Sequence, residues 1–169
     1  MKKRPNNRVQ NNISKPVHYW LLKNEEADYS IADFQRDNTA EWNGVRNFQA
    51  RNYIRTMHMG ELFLYYHANG NPSGAAGVGK IISEPHADPT QFDTKSIYFE
   101  KRATKESPVW STVRVQFVAQ FARVVSLSEI ATSARLKGIL VARRGQRLSV
   151  MPISQTHFAH IRTLGMRSA

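Results

Sequence analysis

Five apolar side chains alternate with other residues along one stretch of the chain, at Val113, Val115, Phe117, Ala119 and Phe121. Successive side chains of a β-strand point to opposite faces of a sheet, so a period of two buries one face of an extended segment. The alternation therefore predicts a long strand that has one face in a hydrophobic core. A fold that accommodates this strand must contain a sheet.

Further strands are predicted where short apolar runs end at a charged residue or a turn. These runs occupy residues 17–23, 61–68, 75–82 and 95–102. A cluster of Gly, Asn, Pro and Ser at residues 69–74 is typical of a tight turn and predicts that the two runs beside it form a hairpin.

Short helices are predicted between the strands. Ser30 followed by Asp33 forms a capping box, which predicts a helix that begins near Ile31. A second helix is expected from Asn47, because the apolar residues after it have helical spacing, and Gly60 should end it.

Two more helices are predicted near the C-terminus. Residues 126–139 begin with two candidate caps, Ser126 and Ser128, and residues 154–165 form a last helix that Gly165 should end. Strands outnumber helices, and the helices are short. The sequence therefore predicts an α+β, mainly β, fold with a mostly antiparallel sheet curled into a small barrel and helices at its ends.

The length of 169 residues fits one domain. Residues 1–16 are rich in Asn, Lys, Arg and Pro and are interpreted as a flexible basic arm, so the domain is expected to occupy residues 17–169. The absence of cysteine excludes disulfides, thiolate metal sites and a cysteine nucleophile. No apolar run approaches the roughly 20 residues of a membrane span, and no secretory signal is recognisable. We expect an intracellular protein, nuclear in a eukaryote and cytoplasmic in a bacterium.

The net charge of +11 is unevenly distributed. Residues 1–16 carry +5, residues 17–113 carry −2, and residues 114–169 carry +8, because Glu129 is the only acid in that last segment. Such asymmetry favours a polyanionic partner, most often nucleic acid, although a solvated basic surface would have the same composition.

The sequence offers little sign of metal, nucleotide or nucleophile chemistry. The six histidines do not have a metal-ligand spacing, and His157 and His160 lie on a helix that is expected to pack on the core, so no metal and no cofactor are predicted. A G-x-S-x-G nucleophile motif is absent. The segment GVGK lacks the Ser or Thr and the earlier glycine of a Walker loop, so we interpret it as part of a strand.

Aromatic residues are spread along the chain at predicted strand ends or beside turns, where a barrel would bring such positions together. A flat ring can stack on any nucleobase. Asn47 and Asn69 could read a base edge, and Arg46 and Lys23 could hold a phosphate or a carbonyl oxygen. The alternative is that these aromatic residues are ordinary core and rim residues: Trp20, Trp42, Tyr65, Tyr66 and Trp110.

Several stretches occur in the order seen in the EVE domain family, among them WNGVRNFQARN, PVWSTVRVQF and RLSVMPIS. The chain resembles that family from about His18 to Leu164. The resemblance implies a PUA-like fold, a small curled β-barrel with flanking helices, similar to the YTH domain. It also implies a non-catalytic reader of a modified base in DNA or RNA, notably modified cytosine in DNA, which is extruded into an aromatic pocket.

The resemblance also implies which residues form the site. The base pocket is expected to comprise Trp20, Lys23, Asn24, Trp42, Val45, Arg46, Asn47, Tyr66, His67, Asn69, Trp110 and Ser149. Phosphate contacts are expected from Arg143, Arg144 and Arg147.

The chain departs from the family pattern after its first strand, where the family usually reads KSEP and this chain reads KNEE. Asn24 replaces the serine, and Glu26 replaces the proline beside Glu25. The larger amide could tighten the pocket, and the added acids weaken a phosphate role there. Two alternatives stay open, namely general RNA binding without selectivity for modification, and an amidohydrolase resembling ASCH-type proteins that act on acetylated cytidine through Lys, Thr and Glu.

Overall fold

A computed structural model describes residues 17–168, so the predicted arm 1–16 lies outside the described residues. Within that range the chain forms eight strands and four α-helices, connected by loops and three short 3₁₀ turns. In chain order the elements are β1 Tyr19–Glu25, α1 Ile31–Asp37, β2 Thr39–Glu41, α2 Phe48–Ile54, β3 Leu62–Ala68, β4 Gly74–Ile81, β5 His86–Ala87, β6 Ser111–Thr112, β7 Arg114–Ser126, α3 Leu127–Thr132, β8 Val150–Ile153 and α4 Gln155–Met166.

Six strands form one curled sheet in the order β2-β7-β4-β3-β1-β8, and β5 pairs with β6 in a second, two-stranded sheet. All pairs are antiparallel except β1 with β3, which run parallel with Tyr19 opposite Leu62 and Glu25 opposite Ala68. The register between β4 and β7 shifts at two places. Such bulges increase the local twist and bend of a sheet. The expected mainly β fold, a curled sheet with short flanking helices, is confirmed.

Consecutive residues of β1 and β3 are buried, so both faces of this sheet are covered, and the face that packs against α1 is rich in aromatic rings. Phe34 of α1 is fully buried and stacks on Phe63 and Tyr65 of β3, with ring centroids 6.3 and 5.4 Å away. Gly79 of β4 leaves room for Phe63, since a Cβ at that glycine would lie 2.1 Å from the ring. The small residues of β4 therefore allow a large ring to pack against the backbone.

The caps predicted from the sequence are present. Ser30 and Asp33 form the expected capping box of α1, and Ser126 rather than Ser128 caps α3. The predicted second helix, α2, is shorter than expected because it ends at Ile54, and α4 continues through Gly165 to Met166.

The predicted strand at residues 95–102 is wrong. This segment forms a series of turns with Ile97 90% exposed, so its apolar residues are not those of a buried strand face. The turns are held by polar contacts instead. Arg46 donates to the carbonyl oxygen of Tyr98, and Glu100 accepts from the backbone and the guanidinium of Arg102.

Candidate functional site

A cleft of about 910 Å³ opens where the carboxyl ends of the parallel strands β1 and β3 meet. The segment from the start of β2 to Arg46 forms one wall, and β1 with the loop before β8 forms the other. The side chains and backbone that line it are Lys23, Asn24, Glu25, Asp28, Tyr29, Asp37, Thr39, Ala40, Glu41, Trp42, Asn43, Gly44, Val45, Arg46, Ala68, Asn69, Tyr98, Arg147 and Ser149.

Trp42 is the large ring in the cleft wall. Its ring meets Tyr65 edge-on at a centroid distance of 5.6 Å and lies 5.8 Å from Phe63, and only 8% of the residue is exposed. Its backbone N–H donates to the carbonyl oxygen of Val113 at 2.9 Å, which ties the wall to the sheet. Because the ring is fixed by the core behind it, Trp42 can offer a flat surface without losing much conformational freedom on binding.

Arg46 links three segments at the end of the same wall. Its five N–H donors are all engaged, by the carbonyl oxygens of Val45 and Tyr98, the Thr90 hydroxyl and the Asp88 carboxylate. Asp88 is fully buried and accepts from Arg46, from the Gly44 N–H, and from Thr90. Burial raises the pKa of Asp88, but these hydrogen bonds outweigh it and hold the pKa below its ordinary value. Arg46 therefore holds the rim in shape, and its donors are not free for a phosphate.

The same cluster fixes a loop above the cleft. The Tyr98 ring lies 5.2 Å from the Arg46 guanidinium and covers Gly44, whose φ is +79°. A Cβ at Gly44 would lie 2.8 Å from the Tyr98 ring, so both backbone conformation and space require glycine there. Sequence reasoning missed Tyr98 as a cleft residue because it assigned this segment to a strand.

Lys23 brings a positive charge into the opposite wall. Its ammonium lies 5.6 Å from the centre of the Tyr66 ring, and its backbone N–H donates to the Ser149 carbonyl oxygen at 2.7 Å. Burial lowers the pKa of Lys23 below its ordinary value. Lys23 and Ser149 both line the cleft, and an ammonium and a hydroxyl can each donate to a carbonyl oxygen or a ring nitrogen.

The residues of the sequence KNEE, which departs from the family pattern KSEP, have a local structural role. Glu25 accepts from the Asn69 amide at 3.2 Å, and a Glu26 oxygen lies 3.5 Å from Nδ1 of the buried His67. Asn24 donates to the Tyr29 carbonyl oxygen at 3.3 Å and accepts from the Glu25 N–H. Glu25 and Glu26 therefore bind the end of β1 to the end of β3 and the turn that follows it, while Asn24 holds the loop after β1.

The formal charge of the cleft is close to zero. Three cationic side chains, those of Lys23, Arg46 and Arg147, and four carboxylates line it, which gives −1. The carboxylates belong to Glu25, Asp28, Asp37 and Glu41. A phosphate anion would gain little from such a lining, whereas a neutral base would find both donors and acceptors.

Seven residues of the expected base pocket line the cleft, and five lie outside its lining. The Tyr66 ring lies beside the Lys23 ammonium. His67 accepts from the Ile31 N–H at 3.1 Å, and its Nδ1 has no hydrogen-bond partner among residues 17–168. Asn47 caps α2 by accepting from the backbone N–H groups of the first turn.

The two remaining tryptophans also lie outside the lining of the cleft. Trp110 is buried, stacks on Phe48 at 4.9 Å, and lies 5.4 Å from the Arg46 guanidinium. Trp20 lies near the amino end of β1 and donates to Glu61. Spacing along the chain cannot separate rings that line a cleft from rings that support it.

The three expected phosphate contacts follow the 3₁₀ turn Leu140–Ala142. Arg143, Arg144 and Arg147 are exposed, and within residues 17–168 none of them forms an ion pair. Arg147 reaches the cleft lining, while the other two lie beyond it. The basic residues thus stand beside the cleft rather than in its depth.

Sequence comparison assigns the family. Residues 18–164 match the EVE domain. The chain belongs to the EVE domain family. EVE relatives include thymocyte nuclear protein 1 of Gallus gallus, 38% identical over 165 residues, which cover 86% of this chain and 68% of that protein. Thymocyte nuclear protein 1 of Homo sapiens is 36% identical over 165 residues, which cover 86% of this chain and 73% of that protein.

Solved EVE structures have the same fold. Protein PSPTO5229 from Pseudomonas syringae superimposes with a TM-score of 0.83 at 41% identity, covering 86% of this chain and 98% of that one. Human THYN1 in complex with DNA that contains 5-methylcytosine superimposes with a TM-score of 0.82 at 34% identity, covering 90% of this chain and 100% of that one. No helix within residues 17–168 has the length and hydropathy that crossing a membrane requires.

Proposed function

We propose that this EVE domain is a non-catalytic reader of modified cytosine in DNA, which takes the modified base into the cleft beside Trp42. The observation that carries the proposal is the likeness to human THYN1, whose structure contains DNA with 5-methylcytosine. A base must leave the duplex to enter a cleft, which costs a few kcal/mol of stacking and pairing. Stacking on a fixed aromatic surface stabilises each bound base by about 1–3 kcal/mol, which offsets this cost.

The lining of the cleft is suited to cytosine. Cytosine presents an amino donor and two acceptors on its pairing edge. The Lys23 ammonium and the Ser149 hydroxyl supply donors for the acceptors, and the nearby carboxylates accept from the amino group. Val45 and Ala40 line the same cleft and offer apolar contact to a methyl group at position 5. The near-neutral lining favours a base over a phosphate inside the cleft.

We assign the contacts with the DNA backbone to the exposed arginines beside the cleft. Arg147 stands at the rim, and Arg143 and Arg144 extend the basic surface away from it. Phosphate contacts position a protein on DNA without reading sequence. In this arrangement the arginines supply affinity and the cleft supplies selectivity. In a eukaryotic cell this role implies a nuclear location.

We assign to the turn segment at residues 96–99 the contact with the duplex next to the extruded base. Ile97 is 90% exposed, and the adjacent Tyr98 is held by Arg46 at the cleft rim. Proteins that unstack DNA often insert an apolar side chain at the disrupted step. Ile97 has the exposure and the position for such a contact.

A titration against a panel of duplexes tests the proposal. Equal-length oligonucleotides carry cytosine, 5-methylcytosine, 5-hydroxymethylcytosine, adenine or N6-methyladenine at one position, and each is measured at two salt concentrations. A reader should prefer one modified cytosine by at least about tenfold, or 1.4 kcal/mol, at both salt concentrations. Equal affinities for all five duplexes, lost at the higher salt concentration, would contradict the proposal and favour a general nucleic-acid-binding protein.

A hydrolase acting on acetylated cytidine is a second candidate, because one observation favours it. Lys23 has a lowered pKa and shares the cleft with the Thr39 hydroxyl and the Glu41 carboxylate. A lysine acts as a general base only when its pKa is lowered in this way. Incubation with N4-acetylcytidine, followed by chromatography, should yield no cytidine if the domain is only a reader. Formation of cytidine by the wild-type chain but not by the Lys23→Met variant would establish the hydrolase.

A further inference from the structure

We propose that His18, His58 and Glu61 bind a divalent transition-metal ion, with Zn²⁺ as the best match. His18 is distant in sequence from His58 and Glu61, which share one turn, and the ligand atoms of all three lie within 4.8 Å of one another. They stand at the amino ends of β1 and β3, whereas the cleft lies at the carboxyl ends of the same strands. The site is therefore separate from the proposed base pocket and does not depend on it.

The fold brings these residues together for two reasons. β1 and β3 are parallel with Tyr19 opposite Leu62, and one step back along both strands places His18 beside Glu61. His58 reaches the same place through a tight turn, in which the Glu61 N–H donates to the His58 carbonyl oxygen at 3.2 Å. Gly60 occupies the third position of that turn with a φ of +91°. No sequence spacing relates His18 to this turn, which is why the sequence analysis predicted no metal.

The Glu61 carboxylate is held with one oxygen directed at both imidazoles. Its Oε2 accepts from the Trp20 indole N–H at 2.6 Å and from the His58 backbone N–H at 3.1 Å. Its Oε1 lies 3.3 Å from Nδ1 of His18 and 3.6 Å from Nδ1 of His58. A carboxylate fixed by neighbouring donors on one oxygen is a common feature of protein metal sites.

The two distances from Glu61 fit the geometry of zinc. Zn–N and Zn–O bonds of about 2.0–2.1 Å in a tetrahedron place ligand atoms about 3.3–3.4 Å apart. The 3.6 Å contact of His58 is too long for a hydrogen bond but suits two ligands of one ion. Both histidine side chains are 49% exposed and can rotate to close the site, while the Glu61 side chain is 6% exposed and fixed.

The chemistry of the ligands selects the ion. Two imidazoles and one carboxylate match Zn²⁺, which takes three protein ligands and a water molecule in open sites. Ca²⁺ and Mg²⁺ prefer oxygen ligands and should bind poorly. A bound ion would join the start of β1 to the turn before β3, so its expected effect is stabilisation of the folded domain.

Calorimetric titration of Zn²⁺ tests the proposal, using the full chain without a histidine tag after chelator treatment. One equivalent should bind, and free Zn²⁺ at about a hundred times its Kd should raise the melting temperature by roughly 5–10 °C. Ca²⁺ at the same concentration should change it little. The variant His18→Gln with His58→Gln should lose both effects, while His157→Gln with His160→Gln, the other neighbouring histidine pair, should keep them.

A second measurement tests the coordination of the ion even if a variant is unstable. Co²⁺ added to the wild-type chain should give the visible absorption of a four-coordinate ion, and Zn²⁺ should displace it. Absence of one-equivalent binding, or equal Zn²⁺ stabilisation in the His18→Gln, His58→Gln variant and the wild type, would overturn the proposal.

Discussion

At the scale of single residues, the cleft separates side chains that shape it from side chains that are free to bind. Arg46 and Asp88 belong to the first group, because their donors and acceptors are engaged with each other and with neighbouring loops. Lys23 belongs to the second, because it lines the cleft and, within residues 17–168, its ammonium forms no ion pair. Substitutions in the two groups should therefore have different consequences.

Asp88→Asn should destabilise the domain by about 3–5 kcal/mol, because it leaves the guanidinium of Arg46 without its buried counter-charge. The free energy of unfolding is measured in urea by circular dichroism. Glu106→Gln is the matched control, since Glu106 is exposed, and it should change stability by less than about 0.5 kcal/mol. A loss in Asp88→Asn no larger than that of the control would show that the buried pair contributes little.

Lys23→Met should reduce the preference for modified over unmodified cytosine and weaken binding of the modified duplex by about tenfold or more, the equivalent of one charge-assisted hydrogen bond. Fluorescence anisotropy with the modified and the unmodified duplex measures both the affinity and the preference. Lys80→Met is the control, because Lys80 pairs with Leu62 at the other end of β3. Equal weakening by both variants would place Lys23 among nonspecific contacts.

At the scale of elements, α1 is attached to the sheet through one titratable group. The Ile31 N–H at the start of α1 donates to Nε2 of His67 on β3, so this imidazole must be neutral to accept. Burial lowers the pKa of His67, and the Glu26 carboxylate, 3.5 Å from Nδ1, offsets part of that effect. The attachment of α1 should therefore depend on pH.

The free energy of unfolding should fall as the pH decreases below the ordinary histidine pKa of about 6.5. In that range the unfolded chain binds a proton that folded His67 does not, so lower pH favours unfolding. Carboxylates with a pKa near 2, such as those of Asp33 and Glu100, do not titrate in this window. Urea unfolding at pH 7.5 and 5.5 should give a smaller difference for His67→Gln than for wild type. His157→Gln is the control, because the His157 side chain forms no hydrogen bond or ion pair within residues 17–168, and it should keep the wild-type difference.

The turn segment at residues 96–99 gives a second prediction at this scale. Ile97→Ser should weaken binding of a modified duplex several-fold and leave binding of the same modified strand, when single, unchanged, because a single strand needs no unstacking. Val118→Ser, at another exposed apolar position on β7, is the control. Equal loss on duplex and single strand would assign Ile97 to some other contact.

The elements also show what sequence can and cannot predict. Local signals predicted the caps of α1 and α3 and the long strand β7, because capping and alternation depend on residues a few positions apart. The segment with Ile97 was wrongly predicted as a strand, because its conformation depends on Arg46, which lies about fifty residues away. Family resemblance predicted twelve base-pocket residues, of which seven line the cleft, and their role in binding a base stays a prediction. Its charge balance and the role of Asp88 depend on long-range contacts that no local pattern contains.

At the scale of the whole molecule, the charge separates into two regions with different tasks. The lining of the cleft sums to −1, while residues 114–169 carry +8. An anionic backbone is attracted to the second region, and a neutral base can enter the first. Affinity and selectivity should therefore respond independently to salt and to substitution.

Arg143→Ala with Arg144→Ala tests this separation, because both side chains are exposed and stand beyond the cleft lining. Each phosphate contact releases condensed cations, so removing two should lower the slope of log K against log salt by about 1.8 and weaken modified and unmodified duplexes alike. The matched control is Arg162→Ala with Arg167→Ala. These two arginines line a groove with Tyr19, at the end of β1 opposite the cleft. An unchanged slope in the first variant, or a change in its preference for the modified base, would place the DNA backbone elsewhere and make the two regions one binding surface.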